Sequence, residues 1–525
     1  MSVFSDTLTR YIEHKNIKVF SLAKYCNLDR STMYKILNGK RNPPSSEVFE
    51  KMTQFMHLTP IEYNFLKETL EITQVGPDTY YTRKSVENFI CQFPDQPATD
   101  ITGSSFSPDP VSEQCQTDCI SLVSQQHIDY YVHQMILSES VHADGKIAMF
   151  IQPDYKFLFS LLASLHASAS LKIDHIFCVG TEYAFTKDHQ LINLKYLREI
   201  FPLYMAGLDY SLWYYYDRIQ SHYYNFNLFP CMILTSDAAI LCSSDYQNGI
   251  FIKSPDVVQL LWNQFISYKE QCSLFFRPAP LTPENHRAVI DSMFDTFYDQ
   301  NDLIGIQPEP CLTPFFTGNL LHEIFNYDLP QADAILAAAE QAFQMNMVKI
   351  QNEQFLIYST REGLLQFAKT GLTDEIPEIF YHPLTVEQRI EILNGVRQCC
   401  ETGVYRFLQK PLSHLPHNLH FCIRGTMGSM VFRNNTGQII VLNIEETCLV
   451  SIFRDYLEHM NPASYYSTEK AVELVDQIIH DLLGQQRLIF AYIHINENTH
   501  MTVDSLNLQS YGCFFILIRA GSFNH

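Results

Sequence analysis

Residues 19–43 read VFSLAKYCNLDRSTMYKILNGKRNP, and the spacing of apolar and capping residues within them predicts two short helices joined by a tight turn. The first helix runs from Val19 to Tyr25 with Leu22 and Ala23 facing inward, and Ala23 is small enough to let the next helix cross closely. Cys26-Asn27-Leu28 forms the turn, with Leu28 as its buried residue. Asp29 then offers a side-chain oxygen to the free amides of a second helix, Arg30 to Leu37, whose Met33, Ile36 and Leu37 fall on one face. Asn38-Gly39 ends that helix, because glycine reaches left-handed backbone angles without steric cost. Outward from this pair, Phe4 to Leu70 reads as short amphipathic helices separated by polar turns, with no alternating strand pattern. Ser45 caps a helix from Glu47 to Met56, and Thr59 caps a fifth that ends near Leu70.

This arrangement resembles the Xre, or lambda-repressor, family of helix-turn-helix transcriptional regulators over residues 1–75. The likeness is carried by Leu22-Ala23, the apolar turn residue Leu28, Ser31-Thr32 at the opening of the second helix, and Asn38-Gly39-Lys40-Arg41 ahead of Pro43. The resemblance implies an all-α, five-helix DNA-binding domain whose recognition helix lies in the major groove with its N-terminal residues against base edges. Matched by position, Arg30 and Ser31 fall where the family reads bases, and Arg30 is the stronger candidate because a guanidinium grips both acceptors of a guanine. Thr32, Tyr34 and Lys35 share the exposed face, while Asn38, Lys40 and Arg41 fall where the family holds backbone phosphate. Val19 departs from the family, which often carries a polar residue there to bond phosphate; Lys18 or Ser21 would have to supply that contact. The competing reading is a helical protein-interaction module that no longer binds DNA. Arg30, Lys35, Lys40 and Arg41 form a positive face that such a module does not need.

Charge separates this unit from the rest of the chain. Residues 1–72 hold ten Lys and Arg against eight Asp and Glu, net +2, which leaves −23 for the remainder of a 525-residue chain whose total is −21. An acidic body repels phosphate at long range, so nucleic acid is expected at the N-terminal unit alone. The length exceeds what one core usually organises and predicts a multidomain protein. No run approaches a membrane span, the N-terminus lacks the order of a secretory signal, and the 14 cysteines form no CxxC pair. These features predict a cytoplasmic protein with reduced core thiols and no membrane association.

The expected order is a DNA-binding domain over 1–75, a linker over 76–126, and a large mixed α/β body with one lobe over 127–276 and another over 277–525. Pro94, Pro97, Pro108 and Pro110 interrupt any regular element in the linker, most clearly between Cys91 and Gln126. In the body, apolar runs such as Lys146–Ile151, Ile173–Val179 and Cys231–Leu234 read as strands, between helical stretches at His127–Glu139 and Phe157–Ala169. A duplication is visible: Cys231 to Cys242, Phe251-Ile252 and a helix with Leu261, Phe265 and Tyr268 align with Cys422 to Phe432, Ile439-Ile440 and Leu449, Phe453 and Tyr456. Both copies read as a hairpin followed by an amphipathic helix, so the lobes are related. Leu488–Ile493 and Cys513–Ile518 are expected as strands that complete the last sheet.

The hairpin followed by Pro255–Trp262, repeated in a second lobe, bears a faint resemblance to phospholipase D-like domains. Enzymes of that group need His-x-Lys, and none of the 20 histidines here has lysine two residues later, so the resemblance implies sensing rather than hydrolysis. His414, His417 and His420 recur every three residues, but Pro416 breaks any helical face, no cysteine or carboxylate completes a metal set, and they read as loop histidines. Trp213-Tyr214-Tyr215-Tyr216, with Tyr223 and Tyr224, either lines a ligand pocket or, as favoured here, packs a core. Phosphate loops, dinucleotide-binding turns and nucleophile elbows are absent. The sequence therefore predicts a non-enzymatic regulator without cofactor, metal or catalytic residues, whose partners are double-stranded DNA, a second copy of itself, and a small-molecule or peptide effector. A DNA-binding domain fused to an enzymatic, degenerate phospholipase D-like body, or to a protein-interaction module, is the rival reading.

Overall fold

The computed structural model describes residues 2–43, 45–93, 118–165, 171–180, 191–218, 227–276, 278–280, 302–316, 318–352, 354–416 and 419–498. The N-terminal unit consists of α1 (Val3–His14), α2 (Val19–Tyr25), α3 (Arg30–Leu37), α4 (Ser46–Phe55) and α5 (Pro60–Val75). Their inward residues form one core that includes Phe4, Leu8, Leu22, Met33, Ile36 and Met52. Side-chain caps fix where the helices begin: Asp29 accepts from the Thr32 amide, Ser45 from Val48, and Thr59 forms a reciprocal capping box with Glu62. Cys26 is fully buried in the turn between α2 and α3, and Leu28 is only half-buried there. Gly39 takes a φ of +67°, and a Cβ at this position would lie 2.7 Å from the Ser2 nitrogen, so the end of α3 requires glycine on two grounds.

The chain does not leave this unit as a tether. After Gly76 it enters α6 (Pro77–Cys91), and Val86, Phe89, Ile90 and Phe93 are buried in the body's main core. Arg83 clamps the helix from the side, with Nε 2.7 Å and Nη2 2.9 Å from the two carboxylate oxygens of Asp455. The linker expected over 76–126 is thus corrected at both ends. Apolar residues spaced along 86–93 bury against the body, and Cys119–Leu122 forms a strand; residues 94–117 lie outside the described residues.

Two mixed sheets follow. The first lobe contains β1 (Cys119–Leu122), α7 (Gln125–Ser140), β2 (Lys146–Phe150), α8 (Lys156–Ser164), β3 (Lys172–Gly180), α9 (Ile192–Met205), β4 (Asp209–Asp217), β5 (Cys231–Leu234), β6 (Ala239–Cys242), β7 (Gly249–Ile252), α10 (Pro255–Lys269) and β8 (Ser273–Phe276). The second contains β9 (Pro278–Pro280), β10 (Leu303–Ile306), α11 (Asn319–Ile324), α12 (Ala332–Gln351), β11 (Phe355–Ser359), α13 (Arg361–Thr370), α14 (Val386–Glu401), β12 (Tyr405–Phe407), β13 (His420–Arg424), β14 (Met427–Arg433), β15 (Ile439–Ile444), α15 (Thr447–Glu458) and α16 (Thr468–Asn498).

The strand orders are β1-β7-β6-β5-β2-β3-β4-β8 and β12-β11-β10-β13-β14-β15-β9. Read in opposite directions they coincide. In each lobe three parallel strands joined by helical crossovers are followed by an antiparallel meander, and the strand that precedes the lobe pairs antiparallel with the last strand of that meander. Even β8, which pairs with β4, has a remnant counterpart in the Leu408–Tyr465 bridge beside β12. The duplication legible as hairpin plus helix therefore extends through the whole lobe. The expected strand at Leu488–Ile493 is instead part of α16, which runs on from Thr468 without a break; Cys513–Ile518 lies outside the described residues.

The lobes share one core. Phe89 of α6 packs on Phe93, Phe201 of α9 and Phe453 of α15, with ring centroids 5.7 to 6.0 Å apart. Phe432 of β14 closes the same aromatic group, 5.7 Å from Phe93 and 6.0 Å from Phe201. Phe89→Ala removes a ring that is 1% exposed and is expected to cost about 3–5 kcal/mol. Urea unfolding with limited proteolysis around residue 80 checks this; a change within about 0.5 kcal/mol, as for a surface position, would mean that α6 is not docked.

Candidate nucleic-acid interface and body cavity

Asp29 fixes the first turn of α3, and so sets which side chains that helix presents. Its carboxylate accepts the Thr32 amide at 2.8 Å and the Thr32 hydroxyl at 2.6 Å, and these bonds hold it below the usual carboxylate range. Met33, Ile36 and Leu37 then point into the core, which leaves Arg30, Ser31, Tyr34 and Lys35 exposed. The Arg30 guanidinium lies 5.5 Å from the centroid of the Tyr34 ring, a cation–π contact one turn apart. Asn38 is the C-cap residue of α3 and donates its amide to Tyr34, and Asn38, Lys40 and Arg41 are exposed just past the helix end. Seven of the eight positions are thus brought to one exposed surface. Thr32 is the exception, half-buried with its hydroxyl engaged by Asp29, so it acts as part of the cap. Lys18 is exposed at the start of α2, and Ser21 is half-buried one turn on.

The aromatic run of the first lobe is built into its sheet. Trp213–Tyr216 lies in β4, where Tyr214 packs on Phe275 and Trp213 donates to Asp174 at 2.8 Å beneath the Lys269 ammonium. Tyr223 and Tyr224 lie outside the described residues. Among the described residues no group of three or more His, Cys, Asp or Glu could hold a metal ion, and no helix is long and apolar enough to cross a membrane. His417 is outside the described residues, His414 sits in a loop as expected, and His420 is not a loop residue but the first residue of β13.

His420 opens onto a cavity of about 280 Å3 in the second lobe. Strand alternation builds its floor. His420, Cys422 and Arg424 of β13 lie on the same face as Ser429 and Val431 of β14, while Phe421 and Ile423 point the other way into the shared core. Gly305 of β10 pairs with Cys422, and a Cβ there would come within 3.0 Å of the Cys422 sulfur and of Ile357. α12 forms the roof, where Ala339 and Ala342 leave room and Phe343 and Asn346 flank it. Glu375 closes one side, accepting from Gln307 at 3.1 Å and from the Leu312 and Thr313 amides at 3.1 and 3.2 Å. The His420 Nε2 and Ser429 Oγ are buried without a hydrogen-bond partner, and burial pushes the His420 imidazole down to about 4. Sequence reasoning missed this site because its walls come from β10, β13, β14, α12 and the 375–381 segment, and only the histidine spacing pointed at one member.

No family model and no curated protein matches the chain. Among solved structures it is distantly similar to TrmBL2, an archaeal chromatin protein, at 14% identity and a TM-score of 0.21, covering 45% of this chain and 73% of that one. It is similar to phosphatidylserine synthase of Haemophilus influenzae Rd KW20 at 10% identity and a TM-score of 0.23, covering 73% and 94%. Polyphosphate kinase of Porphyromonas gingivalis aligns at 9% identity and a TM-score of 0.21, covering 70% and 55%. Scores this low carry no inference about chemistry.

Burial also pushes the core imidazole of His175 down to about 4, even though its Nε2 lies 2.8 Å from the Ile151 carbonyl oxygen, which accepts its hydrogen bond. Both histidines thus have folded values below the ordinary 6.5. Above that value neither state is protonated and stability is unaffected; as pH falls from 6.5 toward 4 only the unfolded chain takes up the protons, so stability is lost. The melting temperature should drop across this window, and His420→Phe should flatten the drop. An identical acid profile in the variant would contradict the buried, neutral state of His420.

Proposed function

We propose that the chain is a sequence-specific, DNA-binding transcriptional regulator of the cytoplasm, acting as a homodimer, in which α3 reads base edges and the two-lobed body senses an effector. The observation that carries this reading is electrostatic. Arg30, Lys35, Lys40 and Arg41 stand exposed around one helix, and among the described residues none has a carboxylate within ion-pair distance. They do so on a unit whose net charge is +2 over residues 1–72, while the remainder of the chain carries −23. Cations left unneutralised on one surface are what a polyanion requires. The likeness of α1–α5 to the lambda-repressor arrangement supports the same reading, with α3 as the helix that enters the major groove.

The docked α6 changes how regulation would work. Phe421, on the reverse face of the cavity strand, packs at a tilt against Phe453 with ring centroids 4.4 Å apart, and Phe453 packs on Phe89 of α6 at 5.7 Å. A ligand that shifts β13 would act on the DNA-binding unit through packed helices rather than through a loose tether, to the extent of its differential affinity for two arrangements. The second reading, a DNA-binding unit fused to an enzymatic or protein-interaction body, is favoured by the full duplication of the lobes and by a buried histidine in a cavity. Against hydrolysis stands Cys422, where lysine would be required two residues after His420.

The dimer should occupy an inverted repeat with half-site centres about 10 base pairs apart, or a multiple of that. Arg30→Ala should weaken specific binding by about 1–3 kcal/mol and relax one base preference. Lys40→Ala should weaken all sequences alike and flatten the salt dependence. Mobility shifts across salt and sequence series distinguish the two; unchanged affinity and preference in Arg30→Ala would remove α3 from base reading.

A further inference from the structure

Cross-strand register orders the floor of the second-lobe cavity into rows. Ile357, Gly305, Cys422 and Ser429 form one row, and His420, opposite Val431, stands in the next. His420 and Ser429 are therefore diagonal neighbours on one face of the β13–β14 pair. His420 is 6% exposed and Ser429 3% exposed; both line the cavity, and the His420 Nε2 and Ser429 Oγ are buried without a hydrogen-bond partner. Leaving such groups unsatisfied is costly, which favours an occupant that bonds both. The pair brings no charge of its own, since a hydroxyl is neutral and burial keeps the imidazole deprotonated at neutral pH. The wall holds two charged residues of opposite sign, Glu375 and Arg424. Glu375 already accepts from Gln307 and from the Leu312 and Thr313 amides. Arg424 is four residues along β13 from His420, in the row of Leu303 and Phe355, and its Nη2 donates to Asn346 at 3.0 Å. An anionic head at the polar pair would face the Glu375 carboxylate with Arg424 in the far row, and a cationic head would have to compete with three donors for Glu375. A neutral head meets neither cost. Most of the remaining lining is hydrocarbon and rings, among them Phe316, Ile324, Phe343, Phe355 and Phe380.

We propose that this cavity binds an uncharged alcohol with an aryl or alkyl body, its hydroxyl bonded to both Ser429 Oγ and His420 Nε2 and its apolar part lying against Phe316, Phe343 and Phe355. A hydroxyl suits this pair because it donates one hydrogen bond while accepting another, so a single head satisfies both groups. The body occupies the room that Ala339 and Ala342 leave beneath α12. This deepens the sensing role assigned to the two lobes and rests on it for its regulatory meaning, but not for binding, which needs no DNA.

Calorimetric titration of the DNA-free full chain at neutral pH with one apolar body carrying different heads tests this. The probes are 3-phenylpropanol, propylbenzene, 3-phenylpropionate, 3-phenylpropylamine and phenylalanine. The alcohol should saturate at one site per chain, with propylbenzene, which lacks the hydroxyl, severalfold weaker and the three charged probes about tenfold weaker or more. Ser429→Ala should weaken the alcohol severalfold and leave propylbenzene unchanged. Ala342→Leu, which fills the chamber, should weaken both; the smaller Ser429→Ala change keeps the test intact if that variant fails to fold. No saturable binding of the alcohol, a charged probe or propylbenzene as tight as the alcohol, or an unchanged alcohol affinity in Ser429→Ala would overturn the proposal. Because no DNA is present, such a failure leaves the DNA-reading assignment of α3 standing.

Discussion

The burial of Phe89 and Phe93 between α9, α15 and β14 is the contact on which the relation of the parts depends. It joins the N-terminal helical unit to both lobes at once, since Phe201 comes from the first and Phe432 and Phe453 from the second. The Arg83–Asp455 pair fixes the rotation of α6 about its axis in a bidentate geometry. Exposed ion pairs of this type contribute little on their own, so the aromatic packing supplies the stability and the pair supplies orientation. Gly76, with a φ of +90°, ends α5 and opens this anchored helix, so a single residue joins body and helical unit.

The duplicated lobes put their copies of one helix in different surroundings. α15 is covered by α6 and has Leu449, Phe453 and Leu457 buried, whereas α10, its counterpart, buries Val258 and Phe265 and leaves Leu260 and Ile266 exposed. The two sheets thus share a topology while differing in what covers them. The cavity follows the same asymmetry, arising where α12 spans the second sheet with alanines at 339 and 342.

The N-terminal unit was legible because its information is local. Leu22, Ala23, Met33, Ile36 and Leu37 recur at helical spacing, and Asp29, Ser45 and Thr59 each cap within three residues. The lobe duplication was legible through its meanders for the same reason, although the parallel half of each lobe, made of strands far apart in sequence, was not aligned. Two errors share a cause. The prolines at 94 to 110 drew the linker back over α6, although Val86, Phe89, Ile90 and Phe93 already carried an apolar face, and the run Leu488–Ile493 read as a strand although it extends a long helix. Short apolar runs do not reveal their period without their flanks. The cavity was illegible in principle, since nothing local ties Gly305, Asn346, Glu375 and His420 together before the sheet is built.

A regulatory role requires that the positive face of α3 select a DNA sequence. Repeated selection of the full chain against a randomised duplex library, read out by sequencing, addresses this most directly. The account predicts enrichment of an inverted repeat, bound with an affinity that falls linearly in log–log fashion with salt. A pool that stays random through successive rounds, with no retention even at low salt, would contradict it.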